Sequence, residues 1–148
     1  MHCRGYFHRD IKPGNVIFNK ETETYKLADF GETVKYKNKF VKLSSRDDCI
    51  EVLAGTRRFL DPILYNAWLM LEGLKDFDEM EETIFSFEKA DVYSLGILVL
   101  HVILSKNQLE WLKKNGIHDF ESIKTMLRDC SSKYPLVSRL VAKMLEPN

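Results

Sequence analysis

One stretch of nine residues constrains this chain more than its size does: Phe7-His8-Arg9-Asp10-Ile11-Lys12-Pro13-Gly14-Asn15. It sets a carboxylate, a cation and a carboxamide at two- and three-residue intervals, and Pro13-Gly14 interrupts any regular element running through them. The segment therefore reads as a loop, led in by a short strand over residues 5–7 and followed by the apolar run Val16-Ile17-Phe18. A second β-prone run, Tyr25-Lys26-Leu27-Ala28, comes after a polar stretch, which is the pattern of a hairpin. Such a hairpin returns Asn15, at the start of one strand, to the side of Asp29, at the end of the next.

Asp29-Phe30-Gly31 follows nineteen residues after Asp10. Linked in this order, the two runs resemble the His-Arg-Asp catalytic loop and the Asp-Phe-Gly motif of eukaryotic protein kinases. Phosphoryl transfer asks for an orienting base at the nucleophile, cations on the phosphates and ligands to hold a metal. The resemblance implies that Asp10 accepts the proton of a substrate hydroxyl, that Lys12 neutralises charge on the transferring phosphoryl of ATP, and that Asn15 and Asp29 hold Mg²⁺. Carboxylate and carboxamide oxygens suit that hard cation. It further implies that Thr56, after Gly55, bonds both Asp10 and Lys12. His8 is expected to pack under the loop, Arg9 to reach toward the activation segment, and Asp91 to accept backbone hydrogen bonds from the loop. Lys12, two residues past Asp10, is the pattern of serine/threonine kinases, so the implied partner is a protein carrying a Ser or Thr acceptor. The runs around Asp29 and Gly55 and the extra residues before the central helix are similar to the IκB-kinase-related group.

The rest of the chain reads as helical support. The run 92–104 is hydrophobic nearly all round and predicts a buried central helix over residues 89–104. Pro62 predicts a short helix through about Trp68, and further amphipathic helices are expected over 107–115, 120–128 and 136–145, the last two with helical apolar spacing. Residues 32–54 lose periodicity, basic first and then acidic, and read as a long mobile loop. Its lysines form either a solvated surface or a docking patch, and Ser44 and Ser45 are surface hydroxyls open to phosphorylation or not. Residues 71–88 are strongly acidic and read as a surface insertion, with helical pairs the alternative. The sum is a mainly α chain with a small β-hairpin, the architecture of a kinase C-terminal lobe. Residues 4–19 hold the catalytic loop and following strand, and residues 29–63 the activation segment.

Composition removes other classes. Lys+Arg and Asp+Glu balance at 22 each, so no global charge draws the chain to nucleic acid or membrane. Three widely spaced cysteines without metal-ligand spacing fit a reduced setting. With no apolar leader, the expectation is a cytoplasmic protein, with the nucleus also open.

The pattern breaks in three places. The seven glycines never form Gly-x-Gly, so the glycine-rich loop, strand lysine and helix glutamate of an upper lobe have no counterpart, and the expectation is a lower lobe with the N-lobe segment missing. Ile63 stands where the family has the Ala-Pro-Glu glutamate, and Val52 where a phosphorylated hydroxyl is common. Glu51, beside it, is expected to offer Arg9 a carboxylate. The resemblance leaves three readings: a serine/threonine kinase domain reduced to its lower lobe and silent alone, a pseudokinase-like binding scaffold, and a small-molecule kinase, which Arg9, Lys12 and the long segment to Gly55-Thr56 disfavour.

Overall fold

Helix α3 (Phe87–Ile103) forms the axis on which the other elements pack. It starts two residues before the expected span because Ser86 caps it, accepting from the Lys89 amide. Its Ala90, Asp91, Tyr93, Ser94, Gly96, Ile97 and Leu100 are buried, while Val102 on the opposite side is exposed, so the all-round apolar run is enclosed on one side only. The computed structural model describes residues 1–38, 40–115 and 117–146. Its six helices, with the three small antiparallel sheets, match the mainly α architecture expected.

Two clusters lie along α3. Its C-terminal half packs Ile97, Leu100 and Leu104 against helices α4 (Lys106–Asn115), α5 (Phe120–Ser131) and α6 (Pro135–Met144) through Leu112, Ile123, Met126, Leu127, Val141 and Leu145. The expected helical spacings hold, with each helix beginning at its cap or proline: Ser105 and Gln108 bond reciprocally before α4, and Asp119 accepts from the Ser122 amide at α5. The N-terminal half of α3 packs Phe87 and Ala90 on Phe7, Leu43, Val52, Leu60, Leu64 and Phe85. Phe87 stacks on Phe7 at 5.6 Å and on Tyr36 at 4.6 Å between ring centres.

Three sheets of two strands surround that second cluster. Strand β1 (Tyr6–Phe7) pairs with β4 (Val34–Lys35), and the expected hairpin is β2 (Val16–Asn19) with β3 (Thr24–Leu27), in register Val16 to Leu27. The third corrects two expectations. Residues 32–54 are not a featureless loop: besides β4 they hold β5 (Phe40–Leu43) and α1 (Arg46–Val52). Residues 71–88 are not wholly a surface insertion, because β6 (Thr83–Ser86) pairs with β5, and Phe85 on it is fully buried. The partner of each strand lies some forty residues away, so no local periodicity announces it. Helix α1 is fixed at its start by Ser45, which accepts from the Asp48 amide, while the Ser44 amide and hydroxyl donate to the Asp48 carboxylate. The basic and acidic segments meet in an exposed ion pair, Lys42 to Glu82 at 2.6 Å, of the kind that adds little stability. Lys39 of the basic run lies outside the described residues.

Helix α2 (Pro62–Leu71) runs three residues beyond the expected end at 68 and is capped by Asp61, which accepts from the Leu64 amide at 2.7 Å. No described helix is long and apolar enough to cross a membrane, and all three cysteines are free thiols.

Two outcomes test this packing. A Cβ built on Gly96 would lie 2.7 Å from Leu145 Cδ2 and 3.2 Å from Met144 Cβ, so Gly96→Ala must push α6 off α3. The expected loss is about 1–3 kcal/mol in urea denaturation. Burial pushes the Asp61 carboxyl from 3.8 up to about 6, against the hydrogen bonds from Leu64 and Ile63. A folded-state value above the unfolded one means the folded chain holds the proton longer, so stability falls as pH rises from about 4 to about 6, by about 3 kcal/mol. Asp61→Asn keeps a capping oxygen and removes the titration, so its urea midpoint should lack the part of the wild-type pH dependence that lies in this window.

Candidate active site

The loop between β1 and β2 is built around Asp10, 7% exposed, whose carboxylate has all four of its acceptor positions filled. Thr56 donates to Oδ1 from its amide at 2.9 Å and from its hydroxyl at 2.8 Å. Lys12 Nζ donates to Oδ2 at 2.6 Å, and Asn15 Nδ2 donates to the same oxygen at 3.1 Å. Lys12 also donates to the Thr56 hydroxyl at 2.9 Å, which closes a triangle of Asp10, Lys12 and Thr56 across 46 residues of chain. Burial pushes the Asp10 carboxyl up, but the hydrogen bonds and charge of Lys12 and the bonds from Thr56 together outweigh it and hold it below the usual carboxylate range.

Asn15 ties the loop to the hairpin. Its Nδ2 also donates to the Asp10 carbonyl at 2.9 Å, and its own carbonyl accepts from the Ala28 amide at 2.9 Å. With the amide nitrogen so engaged, the carboxamide oxygen makes no hydrogen bond among the described residues. Ala28 immediately precedes Asp29, so the pairing sets the two expected oxygen ligands at neighbouring strand ends. Asp29 is exposed and left-handed, φ 59°, with one carboxylate oxygen accepting from the Gly31 amide at 3.3 Å. No cluster of three or more His, Cys, Asp or Glu exists among the described residues that could hold a metal. Two oxygens from the protein, the remainder from water and phosphate, is the coordination Mg²⁺ accepts, so the residues fit that ion.

Beneath the loop, His8 is completely buried. Its Nδ1 accepts from the Asp10 amide at 3.3 Å and its Nε2 faces the Ala28 carbonyl at 3.1 Å, which together assign the Nε2–H tautomer. The imidazole thus bridges loop and hairpin, and Phe30 tilts over it at 5.2 Å. Asp91, 2% exposed near the start of α3, accepts from the His8 amide and the Arg9 amide, each at 2.8 Å, as expected. It also takes His2 Nε2 at 2.8 Å, a partner that nothing in the sequence signals.

Arg9 departs from expectation. Its guanidinium donates to the Val52 carbonyl at 3.0 Å and lies 5.7 Å from the Phe87 ring centre, whereas Glu51 accepts from the Tyr36 hydroxyl. A carbonyl one residue along the chain therefore serves where a Glu51 carboxylate was expected. Burial lowers the Arg9 pKa, against the pull of Glu32, Tyr36 and Asp91. Its backbone is left-handed, φ 68°, a conformation costly for a side chain of this size and held here by the bond to Asp91. Gly55, φ +99°, passes so close that a Cβ on it would stand 2.3 Å from the Arg9 carbonyl oxygen. Only glycine lets the two segments touch.

The sequence profile of the protein kinase domain matches residues 1–147. This chain belongs to the protein kinase family. CBL-interacting serine/threonine-protein kinase 2 of Arabidopsis thaliana is 30% identical to the kinase chain over 155 residues, covering 99% of it and 27% of the relative. A probable LRR receptor-like serine/threonine-protein kinase of the same plant is 26% identical over 141 residues, 95% of the kinase chain and 14% of the relative. A serine/threonine-protein kinase of Saccharomyces cerevisiae is 30% identical over 107 residues, 72% and 9% respectively. The kinase chain spans about a quarter or less of the length of these relatives.

Gly55→Ala is expected to unseat Thr56 from Asp10, because the Arg9 carbonyl cannot retreat without breaking the Arg9–Asp91 bond. Loss of at least about 2 kcal/mol in chemical denaturation, with the Thr56 amide exchanging faster with solvent, is the expected outcome.

Proposed function

We propose that the chain is the lower lobe of a serine/threonine protein kinase domain, which transfers the γ-phosphoryl of ATP to hydroxyl groups of a protein substrate. The observation that carries the reading is the Asp10, Lys12 and Thr56 triangle, with Asn15 on the same carboxylate. Lys12 two residues past Asp10 and a threonine bonded to both supports Ser/Thr rather than Tyr acceptors. The serine/threonine relatives favour the same choice. In this reading residues 29–63 are the activation segment, and the likeness of the runs around Asp29 and Gly55 favours a place near the IκB-kinase-related group.

The saturated carboxylate shapes the mechanism. A substrate hydroxyl can reach Asp10 only by displacing one of its four donors, and Lys12, on a flexible stem, is the one free to swing away. When it moves toward the phosphoryl oxygens, one lone pair of Oδ2 opens to the hydroxyl. Thr56 and Asn15 meanwhile keep the carboxylate in place. Because these bonds hold Asp10 below the usual carboxylate range, it orients the nucleophile more than it pulls the proton early. That suffices for a loose transition state in which charge sits mainly on the phosphoryl oxygens. Asn15 Oδ1 and the Asp29 carboxylate would hold Mg²⁺, which supplies positive charge to those oxygens when bound.

The glycine-rich loop and strand lysine that cover ATP in this family belong to an upper lobe outside these 148 residues. Ile17, Phe18, Tyr25 and Phe30 are exposed apolar residues on and beside the hairpin, Phe18 and Tyr25 paired across it at 4.9 Å between ring centres, and a lobe resting there would cover surface of this kind. The 148-residue chain by itself is therefore catalytically silent.

Kinase assays on the full-length protein test the reading. Asp10→Asn should lower kcat by about 10²–10⁴-fold with far-ultraviolet circular dichroism unchanged, and Asp29→Asn should raise the Mg²⁺ concentration needed for half-maximal rate. Mg²⁺-dependent autophosphorylation by the purified 148-residue chain would overturn its assignment as an incomplete site.

A further inference from the structure

Immediately after Thr56 the chain places two arginines in a short turn, Arg57–Phe59. Together with Lys113 of α4 and with His118 and Asp119 before α5, they line a cavity of about 270 Å³. The walls are preorganised. The Arg57 guanidinium lies 4.8 Å from the centre of the Trp68 ring, and the His118 ring stacks on Tyr65 at 3.9 Å and 21°. A planar cation held against an aromatic face has less freedom left to lose when it takes a ligand.

The charge of this cavity is net positive. Arg57, Arg58 and Lys113 face a single lining carboxylate, Asp119, and that group is engaged by the Ser122 amide at 2.8 Å as the cap of α5. Lys113 has Glu110 at 3.2 Å on its own helix, a pair open to solvent. Arg58 is exposed and makes no hydrogen bond or ion pair among the described residues. Burial, with Arg57 nearby, pushes the His118 pKa down to about 4, so at neutral pH the ring adds no charge. Its Nδ1 is buried without a partner, and it donates to an anion only in the Nδ1–H tautomer.

The position relates the cavity to the chemistry. Thr56 is bonded directly to Asp10, and consecutive Cα atoms lie 3.8 Å apart, so Arg58 begins within about 8 Å of Thr56. A peptide that brings its hydroxyl to Asp10 must lead neighbouring residues past this turn. We propose that the pocket of Arg57, Arg58, Lys113 and His118 selects protein substrates carrying an anionic side chain, carboxylate or phosphate, within about three residues of the acceptor hydroxyl. This rests on the kinase reading above and adds the substrate class to it.

The test uses the full-length protein and a peptide series with one serine acceptor, in which each of the three residues on either side is in turn Ala, Asp, phosphoserine or Lys. At one flanking position, Asp or phosphoserine should raise kcat/KM about tenfold over Ala, and Lys should lower it. Phosphoserine exceeding Asp identifies a phosphate pocket, and the reverse a carboxylate pocket. Arg58→Glu combined with Lys113→Glu should invert the preference toward Lys, and Arg58→Gln, a milder change on the surface, should reduce it. Equal kcat/KM across the series, or an acidic preference that survives the double reversal, overturns the proposal. Anisotropy of fluorescein-labelled Asp and Lys peptides reads binding without chemistry. Binding that favours the Asp peptide and is lost in Arg58→Glu, with no peptide phosphorylated, would sustain the pocket and refute the kinase reading.

Discussion

The Asp91 carboxylate determines more of this structure than any hydrophobic contact does. A carboxylate 2% exposed is costly unless its oxygens are met, and here the donors come from residues 2, 8 and 9, far back in the chain. Satisfying it fixes the backbone of His8 and Arg9, including the left-handed turn at Arg9. That turn aims the Arg9 carbonyl at Gly55, sends the Arg9 guanidinium to Val52, and leaves Asp10 pointing at Thr56. Helix α3 is thereby joined to the His-Arg-Asp loop, and the loop to the segment carrying Thr56. The apolar clusters make the helix stable, but this polar contact gives the site its geometry.

The arrangement around Asp10 trades basicity for position. Each added donor lowers the pull of the carboxylate on a proton while narrowing the directions it can face. For the phosphoryl transfer proposed above, in which little proton transfer is needed before the phosphoryl has largely left, position is the more valuable of the two. The same logic accounts for His8, whose two nitrogens serve only to lock the loop amide to the hairpin carbonyl. A cavity of about 580 Å³ lies between α2, α3 and α6 and contains none of these loop residues.

Much of this was readable beforehand because the informative residues are close in sequence. Asp10, Lys12 and Asn15 fall within six positions, and the hairpin that returns Asp29 to Asn15 is local. Pro62 also announced the start of α2. What escaped were pairings between distant segments. β5 and β6 looked like a loop and an acidic insertion since each is only four residues long, and only the other strand makes it a strand. His2 carries no local mark of its bond to Asp91, 89 residues on. The Arg9 guanidinium went to a main-chain carbonyl, an acceptor that every residue offers and that sequence therefore cannot single out. The arginines after Thr56 become a cluster only because Lys113 of α4 and His118 before α5 arrive beside them from distant parts of the chain.

The separation between the loop and Asp91 also sets an order of events. During synthesis the loop leaves the ribosome about eighty residues before its anchor, and β5 waits some forty for β6. Contacts of such long range slow folding, because the intervening chain must be closed before they contribute. The His-Arg-Asp loop, although made before α3, takes its working shape only after it. Until α3 has emerged and folded, Arg9 has no reason to hold its left-handed turn, so an incomplete nascent chain carries all the residues of the loop without the arrangement that makes them chemical. Dependence on a late-made helix keeps that chemistry from preceding the fold.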